Sequence, residues 1–136
     1  MPRDHVQFLA GLLCLAESSG HLFLHCGLSP DLEATLDDQV EALRQKRWDR
    51  EVLRPRAGSP TDRLWRDEYP VWIGADRELS RHPAPYPGRL QVTGHVPVSR
   101  PEVDTARIRL DTSGGFGALT ACVLPSAEAS PIFLTA

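Results

Sequence analysis

Several features that mark specialised classes of protein are missing from this 136-residue sequence. No run approaches the roughly 20 apolar residues that a membrane-spanning helix needs, so no membrane partner is expected. The formal net charge is -3, and this lack of positive charge argues against nucleic acid as a partner. Asparagine does not occur at all, and neither does the dipeptide Gly-Asp.

Cysteine is scarce, with three widely separated residues, Cys14, Cys26 and Cys122. An odd number at these spacings fits neither a disulfide framework nor a zinc-binding motif. We therefore expect a reducing compartment, the cytoplasm.

The first residues predict a helix over 4–16. Asp4 and Gln7 have the spacing of a capping box. The same apolar run fits the core of a signal peptide, but Asp4 interrupts the positive region that such a peptide needs. The helix is therefore favoured, and its buried stripe would consist of Phe8, Leu9, Leu12 and Leu13.

A buried strand and a second helix follow. Residues 21–26 predict a strand covered on both faces, because Leu22, Phe23 and Leu24 are all apolar. Ser29 and Pro30 have the pattern of an N-cap and a first helical turn. The helix is expected to run to about residue 48, with apolar positions at Leu32, Leu36, Val40 and Leu43.

The remaining chain is irregular at first and strand-like at the end. Proline and glycine predict loops over 53–62 and 81–88, and RLWRDEYPVWIGAD between them is hard to assign. Alternation of apolar and polar residues then predicts strands at 90–93 and 107–110. Two further strands, 118–124 and 132–135, are predicted after turns. The order of elements predicts one domain over 1–136, a layered α+β or α/β fold with a mixed sheet and helices on one or both faces.

Two histidines stand at equivalent places in this pattern. His25 and His95 each end a predicted strand, and each lies close to a glycine, in His25-Cys26-Gly27 and in Gly94-His95. Ligand sites assemble at strand ends because the sheet fixes them rigidly. Neutral imidazole is a common ligand for Zn, Mn and Fe. A structural role is open to each histidine alone, but the matched pair favours a metal site.

Asp111 is a further candidate, because it follows a predicted strand and precedes the glycine-rich turn TSGGFG. Such a carboxylate can anchor a neighbouring loop or hydrogen-bond a ligand histidine. A simple turn with suitable Asp and Gly residues is the alternative.

Four stretches, in order, resemble a known family. HCGLSPDL (25–32) is similar to the H-G/A-G-L-S/R-P stretch of the phosphoprotein phosphatases, within the calcineurin-like metallophosphoesterases. TGHVPV (93–98) resembles GHTPV of that family. RIRLDTSGGFGALTACVL (107–124) resembles R-I-N-L-D-T-G-A-x-F-G-G-x-L-T-A, and DRLWRDEY (62–69) resembles L-W-x-R-D/E. The resemblance covers essentially the whole chain.

This resemblance implies the C-terminal half of the calcineurin-like α/β/β/α sandwich. His25 and His95 would bind one of two divalent ions (Mn, Fe or Zn), which activate a hydroxide for attack on phosphorus. Arg66 would bind the phosphate oxygens bidentately. It directly follows Trp65, whereas the family has one residue between the Trp and the Arg, so Arg63 is kept as a weaker substitute. Cys26 takes the place of a small residue and could pack as a small hydrophobe. The substrate would be a phosphorylated protein or a small phosphoester.

The chain also departs from the family. The GDxHG, GDxVDRG and GNHE motifs that precede this region are absent, and without asparagine the family's Asn ligand cannot be supplied. We therefore expect residues 1–136 to be a partial metallophosphoesterase domain that lacks its N-terminal half and is inactive alone. The full protein would be a serine/threonine phosphatase. The alternatives are a dinucleoside polyphosphate hydrolase and a non-catalytic interaction module that contacts partners through RLWRDEYPVWIGAD.

Overall fold

The computed structural model describes residues 2–47, 54–58, 84–114, 116–125 and 129–136. These residues form two helices and seven strands. In chain order the elements are α1 (Arg3–Gly11), β1 (Leu15–Glu17), β2 (His21–Leu24), α2 (Leu36–Arg44), β3 (Leu90–Thr93), β4 (Glu102–Val103), β5 (Arg107–Arg109), β6 (Thr120–Val123) and β7 (Ile132–Thr135).

Five strands form a mixed sheet in the order β1-β2-β3-β5-β4. The three central strands, β2, β3 and β5, run parallel, and the edge strands β1 and β4 pair antiparallel to their neighbours. The carboxyl ends of parallel strands lie at one edge of a sheet, so the residues that follow β2, β3 and β5 are brought together there. A mixed sheet is what the order of predicted elements implied.

The core lies between the first strands and α2. Leu22 is fully buried at 0% exposure, and Leu28, Leu32, Val40 and Leu43 are each no more than 3% exposed. Three of these apolar positions were predicted from helical spacing, but Leu32 precedes α2 and pairs with Pro55 in an isolated bridge. Burial of this set is the main source of stability, since each fully buried aliphatic side chain contributes about 1.5–3 kcal/mol.

The predicted start of the second helix at Ser29 is wrong. α2 begins after Thr35, whose hydroxyl accepts from the backbone N–H of Asp38 while the Asp38 carboxylate accepts from that of Thr35. Ser29 is buried, and its backbone N–H and C=O both bond to the side chain of Gln39. Residues 31–33 run extended against 54–56, and this tertiary pairing outweighs the local helix signal.

The first helix is shorter than predicted, and its apolar stripe is not buried. α1 ends at Gly11, and Leu15 onwards joins the sheet as β1. Its N-cap is Pro2, with no side-chain capping bond, so the capping box expected from Asp4 and Gln7 does not form. Within the described residues nothing covers the four predicted stripe residues, whose exposures are Phe8 68%, Leu9 51%, Leu12 48% and Leu13 75%.

The last strands form a separate hairpin. β6 and β7 pair antiparallel in a two-stranded sheet close to the positions predicted. This hairpin also exposes large apolar side chains, namely Leu119, Val123, Ile132 and Leu134. β4 was not predicted, because it has two residues and depends on a turn in which the Asp104 carboxylate accepts from two backbone N–H groups.

Of the loop predictions, 54–58 and 84–88 are described and contain neither helix nor strand. RLWRDEYPVWIGAD lies outside the described residues. No helix in the described part of the chain has both the length and the apolar character needed to cross a membrane.

Candidate metal centre

His25 and His95 meet at the carboxyl edge of the sheet. β2 and β3 are parallel neighbours, with Leu24 opposite Thr93, and each histidine follows just beyond its strand. The backbone N–H of Gly94 donates to the C=O of His25 at 3.0 Å, which continues the pairing past the strand ends. The two imidazole centroids lie 4.4 Å apart, with 55° between the ring planes. The structure therefore brings the predicted pair together, while metal binding by it stays a prediction.

His95 has an unusual backbone and an unpaired ring nitrogen. Its φ is +66°, in the left-handed region that residues other than glycine rarely adopt. Such a conformation costs of order 1–3 kcal/mol and persists where the surroundings impose it, often at functional sites. The Nε2 atom of His95 is buried and has no hydrogen-bond partner among the described residues. A buried imidazole nitrogen without a partner is a position that a metal ion could fill.

Cys26 supplies a third donor at the same place. Its sulfur and one ring nitrogen from each of His25 and His95 all lie within 4.8 Å of one another. Cys26 is buried at 7% exposure, and this burial raises the pKa of its thiol to about 12, although the nearby charge of Arg107 opposes the shift. The sequence favoured Cys26 as a small hydrophobe. Its position directly after His25 was the signal that could have marked it as a third donor.

The electrostatics of the cluster favour a neutral His25. Desolvation lowers the pKa of His25, and the proximity of His95 lowers it further, while the charge of Asp111 acts in the opposite direction. A neutral imidazole is the form that binds a metal ion. The lowered pKa of His25 therefore favours its metal-binding form, whereas the raised pKa of Cys26 favours the protonated thiol.

Asp111 lies near this cluster but anchors a loop. Its Oδ1 accepts from the backbone N–H of Gly114 at 2.8 Å, and its backbone C=O accepts from the N–H of Val98 at 2.9 Å. The carboxylate bond lies within the turn that follows Asp111 and supports the simple-turn alternative, while the contact with the neighbouring loop at Val98 is made by the backbone. Its influence on His25 is through charge.

A buried glutamine holds the turn that carries His25 and Cys26. Gln91 on β3 is fully buried, and its Oε1 accepts from the backbone N–H of Leu28 at 2.7 Å. Its Nε2 donates to the C=O of Ala84 at 2.6 Å. Gly27 has φ +124°, and a Cβ there would lie 3.2 Å from the Gln91 oxygen. A larger residue at position 27 would therefore displace the turn.

A cavity of about 830 Å³ opens beside the cluster. His25 and Asp111 contribute polar groups to its wall, while Phe23, Val92 and Leu110 are among its apolar lining residues. This volume lies in the range of small-molecule sites. The combination of a mostly apolar wall and a few polar groups suits a ligand with one charged end.

The donor set fits one metal ion and not two. Across the described ranges, His25, Cys26 and His95 are the only group of three or more His, Cys, Asp or Glu residues close enough to share an ion. No carboxylate belongs to it, and carboxylates are what normally bridge and charge-balance a pair of divalent ions. Arg66 and Arg63, the candidate phosphate clamps, lie outside the described residues.

Comparison of the chain with protein-family models, with curated proteins and with solved structures finds no match in any of the three.

Proposed function

We propose that this chain is part of a metal-dependent phosphoesterase, a serine/threonine protein phosphatase of the phosphoprotein phosphatase type. The observation that carries the proposal is the convergence of His25 and His95 at the carboxyl ends of adjacent parallel strands, with ring centroids 4.4 Å apart. The two HxG- and GHxP-type stretches that resemble the family are the ones that supply these histidines. The fold proposed is the C-terminal half of the calcineurin-like sandwich.

In this proposal His25 and His95 hold one divalent ion through neutral ring nitrogens. A bound ion supplies Lewis acidity and an activated hydroxide for attack on phosphorus. The cavity beside His25 receives the substrate, either a phosphorylated side chain or a small phosphoester, and its apolar wall excludes water from the reacting group. Arg66 binds the phosphate oxygens bidentately.

In the family a second ion is held by the GDxHG, GDxVDRG and GNHE motifs, which this sequence does not contain. The proposal therefore includes a partner segment, the N-terminal half of the domain, that provides the missing carboxylate and amide ligands. The exposed apolar residues of α1 and of the β6–β7 hairpin support such a partner, since large exposed apolar side chains are candidates for contact with another segment. The 136 residues alone are expected to be inactive. The cytoplasm is the proposed location, supported by three cysteines outside disulfides.

The test is a phosphatase assay on the protein from its native source, with its intact mass measured, using an aryl phosphate and Mn²⁺. His25→Ala and His95→Ala should each abolish hydrolysis, because each removes a ligand. His5→Ala is the matched control, since His5 is exposed on α1 and does not belong to the cluster. Full activity in both site variants would overturn the proposal.

A non-catalytic interaction module is the second candidate, favoured by the absence of the family motifs that carry the ligand carboxylates and by the exposed apolar residues. It predicts a native mass that matches the 15.0 kDa chain and no hydrolysis with any divalent ion. A phosphatase predicts a larger native mass or a co-purifying chain. Relative rates on a phosphopeptide and on diadenosine tetraphosphate would separate a protein phosphatase from a dinucleoside polyphosphate hydrolase.

A further inference from the structure

Three donor atoms of the carboxyl edge are already close to the geometry of a single metal site. In a tetrahedral zinc site, bonds of about 2.0–2.1 Å to nitrogen and about 2.3 Å to sulfur place the ligand atoms about 3.3–3.6 Å apart. The nitrogens of His25 and His95 and the sulfur of Cys26 lie within 4.8 Å of one another. Closing the set requires side-chain movements of at most about 1.5 Å, which small χ rotations provide.

A second observation concerns one of these three residues, His95. The Nε2 of His95 is buried without a hydrogen-bond partner among the described residues, on a residue held at φ +66°. An orphaned buried nitrogen costs about 1–3 kcal/mol, and the left-handed backbone adds to that cost. A coordinated ion would satisfy this nitrogen.

We propose that His25, Cys26 and His95 form a three-ligand site for one thiophilic divalent ion, Zn²⁺ above all, with the fourth position left for water or a substrate oxygen. The site shares two histidines with the proposed phosphatase, but it needs no residue from outside this sequence. It goes beyond that proposal by making Cys26 a ligand and by assigning a mononuclear site.

The thiolate decides which metal is bound. Sulfur ligands favour Zn²⁺, Co²⁺ and Cu ions, whereas Mn²⁺ and Mg²⁺ prefer oxygen. Binding exchanges the S–H bond of Cys26 for a sulfur–metal bond, and the thiol proton passes to solvent.

Cobalt titration of the purified, reduced, metal-free chain tests this site. One Co²⁺ per chain should bind and give a thiolate-to-cobalt charge-transfer band in the near ultraviolet together with intense visible bands typical of tetrahedral cobalt. Zn²⁺ should displace the cobalt, and Mn²⁺ in excess should not. A cobalt complex that Mn²⁺ displaces as readily as Zn²⁺ would overturn the proposal.

The decisive variant is Cys26→Ala, checked by far-ultraviolet circular dichroism for folding. It should lose the charge-transfer band and weaken Co²⁺ binding by at least about 100-fold, because loss of an outer partner alone costs about 10–100-fold. Cys14→Ser and Cys122→Ser are matched controls, since neither cysteine belongs to the cluster, and both should keep the band. If Cys26→Ala does not fold, X-ray absorption of the cobalt-loaded wild-type chain should still show one sulfur neighbour, and nitrogen or oxygen neighbours alone would refute the site.

The two proposals fail separately. Sulfur-bound cobalt in the 136-residue chain, together with no phosphatase activity in the protein from its native source, upholds this site and removes the phosphatase. Phosphatase activity that survives Cys26→Ala with Mn²⁺, in a chain that gives no charge-transfer band, upholds the phosphatase and removes this site.

Discussion

Replacing Gln91 with leucine should test whether a single buried side chain holds the turn that carries the candidate metal ligands. Gln91 is 0% exposed and makes two hydrogen bonds, one from the N–H of Leu28 at 2.7 Å and one to the C=O of Ala84 at 2.6 Å. Leucine has a similar volume but no polar atoms. Gln91→Leu therefore leaves one backbone donor and one backbone acceptor in the interior without their partner.

The size of the effect follows from these two groups. An unsatisfied buried backbone group costs about 1–3 kcal/mol, and the added apolar surface of leucine returns about 1 kcal/mol. We expect a loss of about 3 kcal/mol in the free energy of unfolding. A domain of this size has a total stability of about 5–15 kcal/mol, so the variant should fold but with a much lower urea midpoint. With a slope of about 1–3 kcal/mol per molar urea, the midpoint should fall by about 1–3 M.

Urea denaturation followed by far-ultraviolet circular dichroism measures this change. The matched control is Gln45→Leu, because Gln45 is exposed and bonds only to the neighbouring Glu41 side chain and to backbone groups of its own helix. Its midpoint should change by less than about 0.5 M, as surface substitutions normally cost within 0.5 kcal/mol. Equal midpoints for the two variants would refute the assignment of Gln91 as the anchor of the turn.

Two further predictions use glycine geometry and pH. Gly27→Ala should lower the free energy of unfolding by about 1–3 kcal/mol, because φ is +124° and the new Cβ would lie 3.2 Å from the buried Gln91 oxygen. The control is Gly11→Ala on α1, which has nothing within 4 Å of its Cβ and should raise the free energy of unfolding by up to about 1 kcal/mol. A loss at both positions in urea denaturation would contradict this reasoning. Hydrogen bonds from Arg44, and then from Arg89, lower the pKa of Glu17 from 4.5 to about 2, against the opposing effect of burial. Glu17→Gln should therefore cost about 1 kcal/mol near neutral pH, a cost that shrinks as pH falls below about 4.5 towards 2, and a difference independent of pH would exclude the ion pair as its cause.

Much of the strand pattern could be predicted from the sequence, because strands leave a local signature. The apolar run at residues 22–24 marks β2, alternation marks β3 at 90–93, and the apolar residues after a turn mark β7 at 132–135. Glycine and the end of each apolar run also placed His25 and His95 just beyond strands. These features depend on near neighbours in the chain, which a sequence pattern records.

Helix boundaries were predicted less well, because distant parts of the chain decide them. Ser29 has a good N-cap sequence, yet residues 31–33 pair with 54–56. The side chain of Gln39 also bonds to both the backbone N–H and the backbone C=O of Ser29. The predicted helix over 4–16 ends at Gly11 because Leu15 pairs with Leu24 in the sheet. In both cases hydrogen bonds to another segment replace those that a longer helix would make.

The sequence by itself determined the kinds of donor available and their positions at strand ends: two imidazoles, a cysteine next to one of them, and no asparagine or Gly-Asp pair to complete a two-metal set. Only the tertiary structure decided which donors meet. Parallel pairing of β2 with β3 brings residues 70 positions apart to a ring separation of 4.4 Å, and it places the Cys26 sulfur beside both rings. Desolvation lowers the pKa of His25, which stays exposed, and raises that of the buried Cys26. Pairing and burial depend on contacts between distant segments, and for that reason no local pattern could have specified them.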